Sequence, residues 1–272
     1  MKNSKSFFFL CSAVVFCLIF TLSSCGSKEI QLGEKLSDSE MEELMDNLNE
    51  QCPITYDIGS ATNFKCAEKK IVISYINDED AISFINMDKK DIYDVWRLLY
   101  LESCSDNDKL FIKSIILSGY SVKCVFTGSK SKKKVTLDIS NEQLKNNKPL
   151  TQEEDIKTNV AITKSLLPQP LDEVTNMVDI SIDKDNLYYI YDIDETNFDM
   201  SKLNESSFKD NITFGITQQF INNSSAGDFF KKVCLSGRGI CYRYVGNKTG
   251  KTIDVQYSNL EFRMLANEGG LN

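Results

Sequence analysis

Asp78, Glu79 and Asp80 stand together after a run of branched and aromatic residues, and Asp192, Asp194 and Glu195 stand at the matching place further along the chain. Paired carboxylates can hold a hard cation such as calcium, or act as acid and base in bond cleavage. Calcium loops want ligands at alternate positions and a glycine, and neither cluster has them. Glycosidase chemistry wants two carboxylates facing each other across a cleft, which a sequence does not display. A solvated turn is the plainer reading of both clusters. These six acids are the candidate binding residues. None is assigned a catalytic role, and neither a metal nor a cofactor is expected.

Histidine is absent from the chain. That removes Ser-His-Asp and Cys-His catalysis, His-ligated zinc or haem, and an imidazole base working near neutral pH. The formal net charge is −8. An acidic chain repels phosphate backbones, so a nucleic-acid partner is not expected. No G-x-S-x-G, phosphate-binding loop or H-E-x-x-H occurs.

The elements that would carry these residues occur twice. Residues 111–144 align without gaps to residues 229–262, with ten identities that include Gly119/Gly237, Gly128/Gly246, Ser140/Ser258 and Asn141/Asn259. Further back, Pro53 matches Pro168, and Ser37-x-x-Glu40 matches Thr151-x-x-Glu154, the spacing of a helix capping box. Each copy reads as a helix, two strands, two helices and two strands. Glycines at 119 and 237 terminate helices, and the last two strands turn about Gly128 or Gly246. The expected class is α+β: two tandem repeats, each a roughly four-stranded antiparallel sheet with helices packed on one face. The repeats are placed at residues 37–145 and 146–265, with a flexible tail at 266–272.

Nine cysteines are present. In the alignment Cys52, Cys66, Cys104 and Cys124 fall opposite Leu167, Ile182, Phe220 and Tyr242, so all four point into the core of the first copy. Bridges Cys52–Cys104 and Cys66–Cys124 are expected there, and Cys234–Cys241 in the second copy. Six cysteines allow 15 pairings, and buried free thiols are the alternative. Zinc is not expected, because no C-x-x-C spacing exists.

The N-terminus carries an address. Lys2 and Lys5 precede an apolar run from Phe7 to Leu22, which ends in Leu22-Ser23-Ser24-Cys25-Gly26. Leu-Ser-Ser-Cys resembles the lipobox of bacterial lipoproteins. That resemblance implies a signal peptide over residues 1–24, cleavage before Cys25, and lipidation (palmitate included) of Cys25. Residues 25–36 then read as a lipid-anchored polar tether, and Lys28-Glu29 resembles the surface-export signals of Bacteroidota lipoproteins. The expected place is the cell envelope, on a bacterial membrane and most simply the outer one, facing periplasm or cell surface.

The functional expectation is a membrane-anchored extracytoplasmic lipoprotein acting as a non-enzymatic binding or interaction module. Its partners are the membrane, through the lipid, and a protein or glycan. A carboxylate-dependent glycan hydrolase is one alternative. An inhibitor of a periplasmic enzyme is another, because the tandem layout resembles that of secreted β-lactamase-inhibitor proteins.

Overall fold

A computed structural model of the chain describes residues 30–102, 106–200, 205–221 and 225–268. The lipobox, with Cys25, and Cys104 lie outside them. The chain divides into two compact units, the boundary falling after Thr151.

The first unit begins with α1 (Asp38–Glu50). Ser37 and Glu40 form the expected capping box, and Met41, Leu44, Met45 and Leu48 bury one face of the helix. A short strand β1 (Ile54–Tyr56) leads into the β2 (Gly59–Ala67) and β3 (Lys70–Asn77) hairpin. Helices α2 (Lys89–Glu102) and α3 (Asp106–Leu117) follow. A second hairpin, β4 (Ser121–Gly128) and β5 (Lys134–Ile139), precedes the single-turn helix α4 (Asn141–Lys145). The second unit repeats this order as α5 (Gln152–Ser165), β6 (Gln169–Pro170), β7 (Thr175–Ile182), β8 (Asn186–Ile193), α6 (Glu205–Ile221), α7 (Ser225–Leu235), β9 (Gly239–Gly246), β10 (Thr252–Tyr257) and α8 (Asn259–Glu268).

The fold is therefore α+β, with two sheet-and-helix units in tandem, as the repeat predicts. Each sheet has five strands, because β1 and β6 add a short edge strand, in the orders β1-β2-β3-β4-β5 and β10-β9-β8-β7-β6. The central pairs β3/β4 and β8/β9 are parallel, which corrects the all-antiparallel expectation. The physical reason is the helical crossover: two helices carry the chain back across the sheet before the second hairpin begins, as a parallel pair requires.

The copies agree in register. Ile71, Ile73 and Tyr75 pair with Val122, Cys124 and Phe126, and Leu187, Tyr189 and Tyr191 pair with Ile240, Tyr242 and Tyr244. Both sheets carry an irregularity at the same place, Ala61/Asn63 and Met177/Asp179. The repeated asparagines have one job. Asn141 donates to the carbonyls of Ile116 and Tyr120, and Asn259 donates to those of Cys234 and Arg238. Each amide ties the helix before a hairpin to the helix after it. In the second unit the core-facing residues of the sheet, such as Tyr189, Tyr242 and Val255, join helix residues Ile156, Phe230 and Phe262 in one cluster, so the helices cover one face.

Two sequence expectations change. The stretch read as a polar tether is tied down from Ile30 onward. Ile30 and Leu36 are buried, and the N–H groups of Gly33 and Leu36 donate to Ser114 and Ser118 of α3, each at 2.8 Å. The described cysteines Cys52, Cys66, Cys124, Cys234 and Cys241 are free thiols, not bridged. Cys66 and Cys124 do share a sheet face, but β3 lies between their strands. Two strand spacings of about 4.8 Å exceed the roughly 7 Å Cα limit of a disulfide. Cys234 belongs to the helix-side core, whereas Cys241 alternates with core-facing Ile240 and Tyr242 and so points to the other face.

Burial pushes the Cys124 thiol up to about 12 and the Cys241 thiol up to about 11. Reductant is therefore expected to leave the melting temperature of the purified protein unchanged, whereas each bridge present would contribute about 2–4 kcal/mol. Iodoacetamide at neutral pH should label Cys124 and Cys241 only after denaturation.

Candidate functional site

The acidic candidates serve the hairpins. Glu79, just past β3, accepts the backbone N–H groups of Lys130 and Ser131 in the β4–β5 turn, at 2.7 and 2.8 Å. Glu195, just past β8, accepts those of Lys248 and Thr249 in the β9–β10 turn, at 2.8 and 2.7 Å. Gly128 and Gly246 are glycines for this reason: a Cβ at either would lie within 2.7 Å of the clasping carboxylate. Asp78 and Asp194 close local turns by accepting from the N–H groups of Asp80 and Thr196, at 3.1 and 2.9 Å. Asp80 pairs with Lys130. Asp192 sits mid-sheet, opposite Asn176 and Val245, on the face away from Tyr189 and Tyr191. The structure thus brings Glu79 with Asp80, and Glu195, each onto the following hairpin turn, and does not gather either acidic cluster into a cleft within its unit.

Hydrogen bonds hold the Glu79, Asp194 and Glu195 carboxyls below their usual range. The Ser131 N–H does so most for Glu79, the Thr249 N–H for Glu195, and the Thr196 N–H for Asp194. Glu261, capping α8 through the Ser258 N–H, is lowered to about 2. A carboxyl whose pKa is lower folded than unfolded stabilises the fold above its unfolded value, about 4, and loses that contribution as pH falls through the folded value. Urea midpoints should therefore hold from pH 7 to about pH 5, then fall steadily toward pH 2.

The other feature with the geometry of a site is a cavity of about 60 Å³ in the first unit. Its floor is the helix-side face of the sheet: Phe64, Ile73, Tyr75, Val122, Cys124 and Phe126. Ile92, Trp96 and Leu99 of α2, and Asp108, Phe111 and Ile112 of α3, form the walls. Phe84 and the start of β2 complete it. Asp108 is 2% exposed and lies in the first turn of α3, where the helix dipole favours a carboxylate.

The second unit shows why the space exists. By register, Ile73 corresponds to Tyr189 and Cys124 to Tyr242. Those two tyrosine rings stack at 5.4 Å, Phe230 meets Tyr189 edge-on at 6.4 Å, and Tyr257 meets Tyr242 edge-on at 6.5 Å. At these two positions the second unit carries stacked rings, and the first borders an open space. At about 24 cal/mol per Å³, a void of this size costs roughly 1.5 kcal/mol.

Sequence reasoning assigned Cys124 to a bridge and missed the cavity it borders, with Trp96 on its wall. The available signal was a pair of large-to-small changes at aligned core positions, Tyr189 to Ile73 and Tyr242 to Cys124. Asp108 carried no such signal, since an acid in a helix first turn looks ordinary.

Among the described residues no helix is long and apolar enough to cross a membrane, and no group of side chains is arranged to hold a metal ion. No model of a known protein family matches the chain, and none of the curated proteins does. Among solved structures, one described as a "putative secreted protein" from Pseudomonas aeruginosa is similar over 41% of this chain and 93% of its own, at 9% identity and a TM-score of 0.34.

Proposed function

We propose that the protein is a lipid-anchored, extracytoplasmic binding module of a bacterial cell envelope, and that its first repeat seats a small apolar group in the cavity beneath α2 and α3. The single observation that carries the binding role is the contrast between the repeats: the same sheet positions hold stacked tyrosines in one and border a 60 Å³ space in the other. The anchor and the compartment rest on the lipobox at Cys25. The walls are apolar apart from a few groups such as Asn77 and Asp108, so they give water few partners and suit a short alkyl group. A hydroxyl-rich glycan fits such walls poorly. Carboxylate hydrolysis is the weaker reading, because Oε2 of both Glu79 and Glu195 already accepts two turn N–H groups.

The test is to fill the space. Cys124→Leu places branched carbon where the thiol stands. It should raise stability by about 0.5–2 kcal/mol, the usual gain of a cavity-filling change. It should also abolish chemical-shift changes that short n-alkanols produce at the Ile73, Ile92 and Val122 methyls of the native protein. Unchanged alkanol shifts in the variant would place the binding elsewhere.

A further inference from the structure

We infer that the exposed side of α3 in the first unit lies against the headgroups of the membrane that holds the lipid anchor. This rests on the lipidation of Cys25 proposed above, and on the length of chain between that residue and the first packed one.

Ile30 is buried, and the hydrogen bonds from Gly33 and Leu36 to Ser114 and Ser118 fasten the following turn along α3. Only residues 26–29 separate Cys25 from Ile30. Five extended Cα steps reach at most about 18 Å. A unit of some 110 residues has a radius of gyration of about 13 Å, so its full width exceeds the tether. A body held on a tether shorter than itself cannot turn its attachment face away from the anchor. The attachment face is the strap and α3.

The side chains on that face suit a bilayer surface. Lys109, Leu110, Lys113 and Leu117 share one side of α3 by their three- and four-residue spacing. Leu110 is 38% and Leu117 46% exposed, and both lysines are exposed. Leu110 also lies directly against the strap, since a Cβ on Gly33 would sit 2.8 Å from its Cδ2. Lys35, on the strap, is exposed as well. The acids on this face are Asp106, which pairs with Lys109 at 3.3 Å, and exposed Glu34 on the strap, against Lys35, Lys109 and Lys113. Lysines reaching for phosphate beside leucines at the acyl boundary is the pattern of an interfacial helix. The second unit keeps Lys231 and an exposed Leu235 but not the rest: Gly227 and Asp228 stand where Lys109 and Leu110 stand, and Asp228 pairs with Lys231 at 3.5 Å. A chain of net charge −8 thus presents a basic and apolar edge beside its own anchor.

The experiment is lysine acetylation footprinting of the full lipoprotein in vesicles of phosphatidylethanolamine with one quarter phosphatidylglycerol. The comparison is the same lipoprotein with a Gly/Ser insert of about 20 residues after Gly26, which adds roughly 25 Å of reach. Mass spectrometry of the N-terminal peptide establishes acylation of Cys25 in both. Lys35, Lys109 and Lys113 should react at least about fivefold more slowly in the native protein than in the inserted one, while Lys130 and Lys248 react equally. Acylated Cys25 with equal reactivity at Lys109 and Lys113 in both proteins would overturn the docking and leave the anchor standing. An N-terminal peptide without acyl groups would overturn the anchor and the docking together.

Discussion

Tyr242→Cys is expected to destabilise the second unit by about 3–5 kcal/mol, the usual cost of removing a buried aromatic side chain. Tyr242 stacks on Tyr189 and Tyr191 and meets Tyr257 edge-on, so three rings lose contacts at once. The substitution writes the first unit's residue into the second unit at the equivalent register position. It should therefore open a space there as well as lower stability. Two-phase urea unfolding, with one transition displaced and the other unchanged, would show that the cost falls on the unit that carries the change. If stability fell by less than about 1 kcal/mol, the tyrosine stack would not be what fills the second unit.

Removing both strap acceptors, Ser114→Ala with Ser118→Ala, is the other large expected effect. Ser114 is 0% exposed and Ser118 6%, so the N–H groups of Gly33 and Leu36 would be left unpaired in a buried setting. Each orphaned group costs about 1–3 kcal/mol. The strap should then detach before the unit unfolds. Hydrogen exchange at the Gly33 and Leu36 amides should accelerate at least about tenfold, a change of 1.4 kcal/mol, while amides in β3 and β4 keep their protection. Detachment would lengthen the free tether from Ile30 to the N-cap of α1 at Ser37, so the double variant should also lose the lysine protection expected on α3.

Much of the fold was legible because it is written twice. Ser37 and Glu40, and Gly119 and Gly237, are local signals, acting within a few residues or at a helix end. What the sequence hid is non-local. Glu79 meets its partners 51 and 52 residues away, and nothing near it in the chain distinguishes a clasp from a cation ligand. The parallel pairing of β3 with β4 depends on where α2 and α3 return the chain, which strand patterning does not record. The cysteines misled for a related reason. A common core face was legible, but the strand between Cys66 and Cys124 is a matter of sheet order. Ile30 and Leu36 looked like isolated apolar residues in a polar stretch until Ser114 and Ser118 were found beside them.

The cavity belongs to the same class. Neither Ile73 nor Cys124 is unusual in a core. Their meaning emerges only when register sets them opposite Tyr189 and Tyr242. The difference between the two units at these positions is then one of volume on a shared frame, and the first unit is also the one that carries the strap.

The most direct test of that account is methyl NMR of the native protein and of Cys124→Leu during titration with xenon and with n-alkanols from propanol to hexanol. The account predicts saturable shifts at the Ile73, Ile92 and Val122 methyls in the native protein and none in the variant, with the second unit silent in both. Absence of shifts in the native protein, or equal shifts in the two, would contradict it.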